Sequence, residues 1–176
     1  MTRLASLLLA ISLPATLSAA PEFEKITLST EFVSEGADIG DFNHDGHNDV
    51  CAGPYIWLGP DFKKRVEYNQ PPEQPYDAAK SYSDYFLSYT HDFNGDGWMD
   101  ILVYSWPGKD ASWFENPQGK PGHWTKHVLL DIADNESPAL GDMNGDGKPE
   151  LLCQTSDDPQ QTVAGRAGYR RIGRRT

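Results

Sequence analysis

Cysteine, methionine and basic residues are scarce in this chain of 176 residues. It has two cysteines and three methionines, and 15 lysines and arginines stand against 26 aspartates and glutamates, for a formal net charge of −11. Two cysteines exclude a disulfide-rich scaffold, and the negative charge argues against nucleic acid as a partner of the folded part. No stretch shows sustained apolar periodicity of 3.6 residues, so we expect little helix.

A single apolar run, at residues 4–17, is long enough to consider as a targeting segment. Arg3 precedes it and small residues follow at positions 18–20, which is typical of a secretory signal. The run is too short for a membrane span, and Pro14 interrupts it. We therefore predict a signal peptide over residues 1–20, no membrane span, and a protein that is secreted, periplasmic or located at the cell surface.

Acidic loops are what the chain has in abundance. The pattern Asp-x-Asn-x-Asp-Gly-x-x-Asp/Glu occurs three times, with starting residues 51 and 50 positions apart, at residues 41–49 (DFNHDGHND), 92–100 (DFNGDGWMD) and 142–150 (DMNGDGKPE). Each loop has oxygen-bearing side chains at positions 1, 3, 5 and 9 and a glycine at position 6. Such spacing lets a tight loop direct several oxygens to one hard cation.

Calcium fits these loops better than magnesium, because magnesium demands a strict octahedron and loses its water reluctantly. We predict up to three Ca²⁺ ions, with the position-7 residue contributing its backbone carbonyl. The predicted ligands are Asp41, Asn43, Asp45, His47 and Asp49; Asp92, Asn94, Asp96, Trp98 and Asp100; and Asp142, Asn144, Asp146, Lys148 and Glu150. The longer Glu150 side chain makes the third site weaker or differently coordinated.

Two other interpretations of these loops fit the sequence less well. Asp, Asn and Gly also mark ordinary turns, but three loops in register make that interpretation weaker. An EF-hand requires a glutamate at loop position 12 and helices on both sides. Position 12 is Ala52, Val103 or Cys153, and each loop is followed by β-forming residues.

The period of about 50 residues is in the range for β-propeller blades or another stacked array. Each unit has a short strand, the acidic loop, an apolar strand, a strand with Trp57 or Trp113, and an outer strand whose Lys or His faces water. Gly59-Pro60 and Asn116-Pro117 close the Trp-bearing strands. We predict an all-β fold: an incomplete β-propeller of nearly three four-stranded blades.

The loops and their following strands resemble FG-GAP or VCBS repeats, the calcium-loop propeller blades of integrin α-subunits and of secreted bacterial proteins. Residues 113–117, 124–128 and 134–138 are similar to the secreted bacterial branch and to the propeller of aldos-2-ulose dehydratases. The resemblance covers roughly residues 22–154. It implies calcium binding in an exported repeat module, but this fold hosts many activities.

A closed propeller needs about four to eight blades, so we expect residues 22–154 to be part of a larger array. The apolar alternation ends after Cys153. Residues 155–176 hold five arginines and are predicted to be a disordered basic tail, or the product of a shifted reading frame. An arm that binds nucleic acid or an anionic surface is the alternative.

Two function classes remain. The first is a non-catalytic module that binds carbohydrate or an extracellular protein, with Tyr76, Tyr82 and Tyr85 at its surface and Trp57 and Trp113 in its core. The second is a fragment of a sugar dehydratase or lyase.

Catalysis of that kind needs a general base, for which the imidazoles of His91, His123 and His127 are available. The spacing of His123 and His127 on one strand would keep them too far apart to share a zinc ion. Cys51 and Cys153 are predicted to be two buried thiols, with one disulfide as the alternative.

Overall fold

The structure, a computed structural model, describes residues 21–134, 136–155 and 166–171, the last group and Thr155 by their backbone alone. The predicted signal peptide lies outside the described residues, as does most of the predicted basic tail. Among the residues described there is no helix, as expected, and therefore none long and apolar enough to cross a membrane.

In the part of the chain that the structure describes, eleven strands form three antiparallel sheets. The first sheet contains β1 (Ala37–Gly40), β2 (Asp49–Ala52), β3 (Tyr55–Leu58) and β4 (Lys64–Glu67); the second contains β5 (Leu87–His91), β6 (Asp100–Tyr104), β7 (Lys109–Glu115) and β8 (Thr125–Ala133); the third contains β9 (Ala139–Gly141), β10 (Glu150–Thr155) and β11 (Arg166–Arg171).

Within each sheet, strands that follow one another in sequence are also neighbours, so the first two sheets are four-stranded meanders. The acidic loop joins the first strand to the second in all three sheets, and its ninth residue begins the second strand. The predicted order of strands within a unit is confirmed, including the Trp-bearing third strand. Lys64 on β4 and Lys126 on β8 are exposed, as expected for outer strands.

Strand β11 departs from the expectation of a disordered tail. Its six residues pair with β10, in the position that β3 takes beside β2 in the first sheet. The pairing satisfies the backbone groups on a side of β10 that would otherwise be an open edge.

The first strands of successive sheets lie next to each other. The Thr90 N–H donates to Asp38 Oδ2 over 2.7 Å, and the Thr90 hydroxyl donates to the Ile39 carbonyl over 2.7 Å, which joins β5 to β1. The Tyr89 hydroxyl donates to the Pro138 carbonyl over 2.9 Å, just ahead of β9. Equivalent edges of the three sheets therefore face one another.

Strand β6 occupies the centre of the hydrophobic core, with all five of its residues buried. Ile101 and Val103 pack with Phe42, Ile56 and Tyr68 of the first unit. The alternate residues Leu102 and Tyr104 pack with Leu151 and Cys153 of the third sheet. Because successive side chains of a strand point to opposite faces, one strand fills two separate interfaces between sheets.

The sequence also predicted whether several aromatic and cysteine side chains lie in the core or at the surface. Trp57 is buried and Trp113 is half-buried. Cys51 and Cys153 are both buried and are not joined by a disulfide, which confirms the prediction of two buried thiols. Tyr82 is exposed, but the surface prediction for Tyr85 is wrong: its ring packs in the core between the first two sheets.

The contrast between Ile101 and Ile39 tests this packing. Ile101 is fully buried, whereas Ile39 on β1 is 55% exposed. Ile101→Ala should lower the free energy of unfolding by about 2–5 kcal/mol, because it removes buried methyl groups and leaves a cavity. Ile39→Ala, the matched control, should change it by no more than about 0.5 kcal/mol. Urea unfolding measures both; equal losses would contradict the burial of β6.

Candidate metal centre: the acidic loops

Each acidic loop is closed by the carboxylate at its first position. In the second loop, Asp92 Oδ1 accepts the N–H groups of Gly95 and Asp96 over 2.7 and 3.0 Å, and Oδ2 accepts that of Gly97 over 2.8 Å. Asp142 accepts the equivalent three N–H groups, and Asp41 accepts two. For Asp142 these bonds, led by that from Gly147, lower the carboxyl pKa.

The side chains at positions 3 and 5 make two further turns of the same kind. The N–H of the position-5 aspartate donates over 2.9 Å to the amide oxygen of Asn43, Asn94 or Asn144. The position-7 N–H of His47, Trp98 or Lys148 in turn donates to the position-5 carboxylate over 2.9–3.0 Å. Such local side-chain bonds hold a backbone in a turn without a sheet or helix.

The position-9 carboxylate is the one fully buried member of the set. Asp49, Asp100 and Glu150 each accept the N–H of the position-2 residue, over 3.1, 2.9 and 2.9 Å respectively. Burial raises the pKa of Asp49, and it raises that of Asp100 to about 6 although two backbone N–H groups oppose the shift.

The second oxygen of this carboxylate reaches the end of the third strand. Asp49 Oδ1 accepts the Gly59 N–H over 2.8 Å, and Asp100 Oδ1 accepts the Asn116 N–H over 2.8 Å. Glu150 instead accepts Asn144 Nδ2 of its own loop over 2.7 Å. The buried carboxylate of the third loop therefore has a different partner from its counterparts. A weaker or differently coordinated third metal site stays a prediction.

Two positions of each loop have a left-handed backbone. The position-6 residues Gly46, Gly97 and Gly147 have φ between +82° and +91°, as the sequence pattern predicts. Position 4 is also left-handed: glycine provides it in the second and third loops, but His44 adopts it in the first at φ +57°. The glycines at positions 95 and 145 were the available signal for this turn.

His44 uses that unusual backbone to reach the second loop. Its ring stacks on Trp98 with centroids 3.8 Å apart and planes 5° apart, and its Nε2 lies 2.9 Å from the Gly97 carbonyl oxygen. Asn116 makes a second connection, donating through Nδ2 to the carbonyls of Phe42 and Met99 over 2.9 and 3.0 Å. The first two loops therefore form one connected structure, which the sequence alone did not indicate.

The donor set of each loop suits a hard cation in its chemistry. Three carboxylates and one amide oxygen lie within nine residues, and a carboxylate oxygen that accepts one N–H keeps a second lone pair. The side chains are turned towards the N–H groups of their own loop. Over residues 21–134, 136–155 and 166–171, no group of three or more His, Cys, Asp or Glu side chains is arranged to hold a metal ion. Metal ligation by the fifteen residues therefore stays a prediction.

The three candidate imidazoles lie on separate elements. His91 is at the end of β5, and His127 is on β8, at the opposite edge of the same sheet. His127 stacks on Trp113 with centroids 4.3 Å apart and bonds Glu115 over 2.8 Å. His123 precedes β8, so the expectation that it shares a strand with His127 is wrong.

Asn116 offers a test of the connection between the loops that does not depend on metal. Asn116→Ala leaves two carbonyl groups without their donor in a largely buried setting. Its free energy of unfolding, measured in the presence of a chelator, should therefore be about 2–4 kcal/mol lower than that of the unmodified protein. Asn48→Ala, at an exposed position of the first loop, is the control and should change stability by at most about 0.5 kcal/mol. An Asn116 variant as stable as the control would show that this bridge contributes nothing.

Comparison with known proteins points to one repeat family. Residues 92–153 match the family described as the FG-GAP-like repeat. This stretch runs from the first residue of the second acidic loop, through β6 to β9 and the third loop, to Cys153 on β10. No curated protein and no solved structure matches the chain. Residues 92–153 of this protein are an FG-GAP-like repeat, as the acidic loops and their spacing predicted.

Proposed function

We propose that this protein is an exported, calcium-binding β-propeller repeat module that acts by binding a ligand and not by catalysis. The observation that carries the proposal is the threefold recurrence of one loop with nearly the same internal hydrogen bonds. Three sheets each place that loop between their first and second strands. A feature repeated so closely across the fold is better explained by a common ligand than by three independent turns.

Electrostatics supports a divalent cation. Nine of the 26 acidic residues belong to the three loops, and the chain has a formal net charge of −11. Three carboxylates within one short loop repel each other, and a Ca²⁺ ion would offset most of that repulsion. Flexible oxygen donors favour Ca²⁺ over Mg²⁺, which keeps several waters and needs an octahedron.

The closed conformation of the loops lowers the cost of binding. The carboxylates at positions 1 and 9 already hold the loop backbone through N–H bonds, so a cation would have to reorient side chains but not rebuild the backbone. A backbone already held in place raises affinity by reducing the conformational entropy lost on binding. The ligands would be the side chains at positions 1, 3, 5 and 9 and the carbonyl at position 7.

The arrangement of the sheets supports an incomplete propeller. Each sheet is a meander whose first strand faces the first strand of the next sheet, the order needed for blades around an axis. Residues 22–154 would thus form nearly three blades. Export through the predicted signal peptide would deliver the module to a compartment rich in calcium, where its partner is a carbohydrate or an extracellular protein.

Calcium titration of the purified protein tests the metal part of the proposal. Calorimetry should find up to three Ca²⁺ per chain, and the melting temperature should rise with calcium. At free calcium about tenfold above the dissociation constant, each site should stabilise the fold by about 1.4 kcal/mol. Absence of binding at millimolar calcium would refute the proposal.

A matched pair of variants assigns the binding to the loops. In Asp45→Asn, the amide oxygen can still accept the His47 N–H that Asp45 Oδ1 accepts over 2.9 Å, but one negative charge is lost. This variant should bind calcium more weakly at one site. Asp61 makes the same local turn, accepting the Lys63 N–H over 3.1 Å, outside the acidic loops. Asp61→Asn should therefore bind calcium like the unmodified protein.

A further inference from the structure

A polar cleft lies between the segment that connects the first two sheets and the second sheet itself. Its volume is about 400 Å³, within the range of roughly 300–1,000 Å³ that is usual for sites of small ligands. Asn69, Tyr76 and Tyr85 line it from the connecting segment. Ser105, directly after β6, and Lys126 on β8 line it from the side of the second sheet.

The charges in the cleft are paired with each other. Lys126 Nζ lies 2.8 Å from Asp110 Oδ2, and Lys109 pairs with Asp84. Burial alone would raise the pKa of Asp110, but hydrogen bonds from Lys126 and Ser112 outweigh it and lower that pKa. The charges of two lysines therefore balance those of two carboxylates, and the cleft has no excess charge with which to select an anion or a cation.

Aromatic rings and neutral hydrogen-bonding groups complete the walls. Tyr85 is buried, and its hydroxyl accepts a hydrogen bond from Asn69 Nδ2 over 2.7 Å. Burial raises the pKa of Tyr85 to about 12, so the hydroxyl keeps its proton, which it directs to the Gln70 carbonyl over 3.5 Å. Phe114 and Tyr76 also line the cleft. Aromatic side chains beside several hydrogen-bond donors and acceptors suit a molecule that has both C–H groups and hydroxyl groups.

We propose that this cleft binds a neutral hydroxylated ligand, a mono- or disaccharide. The inference rests on the proposed ligand-binding function and identifies where that ligand lies. A sugar hydroxyl donates and accepts at once, so neighbouring hydroxyls can bond the ammonium and carboxylate of a pair such as Lys126 and Asp110 together. A phosphate would have to compete with the carboxylate for the ammonium, and a cation would have to compete with the ammonium for the carboxylate.

Titration of the ¹⁵N-labelled protein at saturating calcium, followed by NMR, tests the site directly. The probes are glucose, galactose, mannose, maltose and cellobiose, with inorganic phosphate as the charged comparison. At least one sugar should shift the amide signals of Ser105 and Lys126 saturably, while that of Gly46 in the first acidic loop stays in place. Phosphate should shift none of them.

A pair of lysine variants extends the test. Lys126→Met should weaken sugar binding roughly tenfold or more, because it removes a charged hydrogen-bond donor. Lys63 forms an exposed pair with Asp61 outside the cleft, at 3.4 Å, and Lys63→Met should leave the affinity within about twofold. If Lys126→Met does not fold, the amide shifts of the unmodified protein decide the matter alone.

Failure of this inference can be told apart from failure of the calcium proposal. A melting temperature that rises with calcium, without amide shifts for any of the five sugars, would overturn the cleft assignment and leave the loops as metal sites. Sugar-induced shifts confined to residues outside the cleft, preferential shifts with phosphate, or equal affinity in the two lysine variants would also overturn it.

Discussion

The fold depends on a buried carboxylate at the start of the second strand of each sheet. A carboxylate taken from water must find donors, because an unpaired one costs several kcal/mol. Asp100 finds two of them: the Phe93 N–H near the beginning of the acidic loop and the Asn116 N–H just after the third strand. Asp49 does the same in the first sheet, so one side chain fixes the loop and two strands together.

This arrangement links the loops to the packing of the sheets. Each buried carboxylate begins a strand that contributes residues to the core: Cys51 in β2, all residues of β6, and Leu151 and Cys153 in β10. The position of the loop therefore sets which residues of the strand enter the core. Asn116 and His44 then tie the first loop to the second across the same interface. Residues that order one loop therefore also restrain its neighbour, and a conformational change in one loop would affect the conformation of the other.

Local pattern allowed much of this structure to be predicted. The loop motif, its period of about 50 residues and the β-forming runs predicted the order of the strands. The apolar runs around Cys51 and Cys153 predicted that both thiols are buried. Each of these signals can be read within a short segment of one unit or from its repetition. The stack of His44 on Trp98 joins residues 54 positions apart, and the hydrogen bond from Asn116 to Phe42 joins residues 74 positions apart. Both were missed, because no local pattern connects residues so distant in sequence. Tyr85 was misplaced for the same reason: a proline-rich neighbourhood suggested a surface, but its ring reaches the core between two sheets.

Amide hydrogen exchange at Phe93 tests the central claim most directly. Its N–H donates to the buried Asp100 carboxylate over 2.9 Å, a bond that closes the second acidic loop. If this carboxylate holds the loop, the Phe93 amide should be protected in a chelator as strongly as amides of the sheet core, since opening it requires the sheet to open. Exchange of Phe93 as fast as that of an exposed loop amide, in protein that remains folded, would contradict the account.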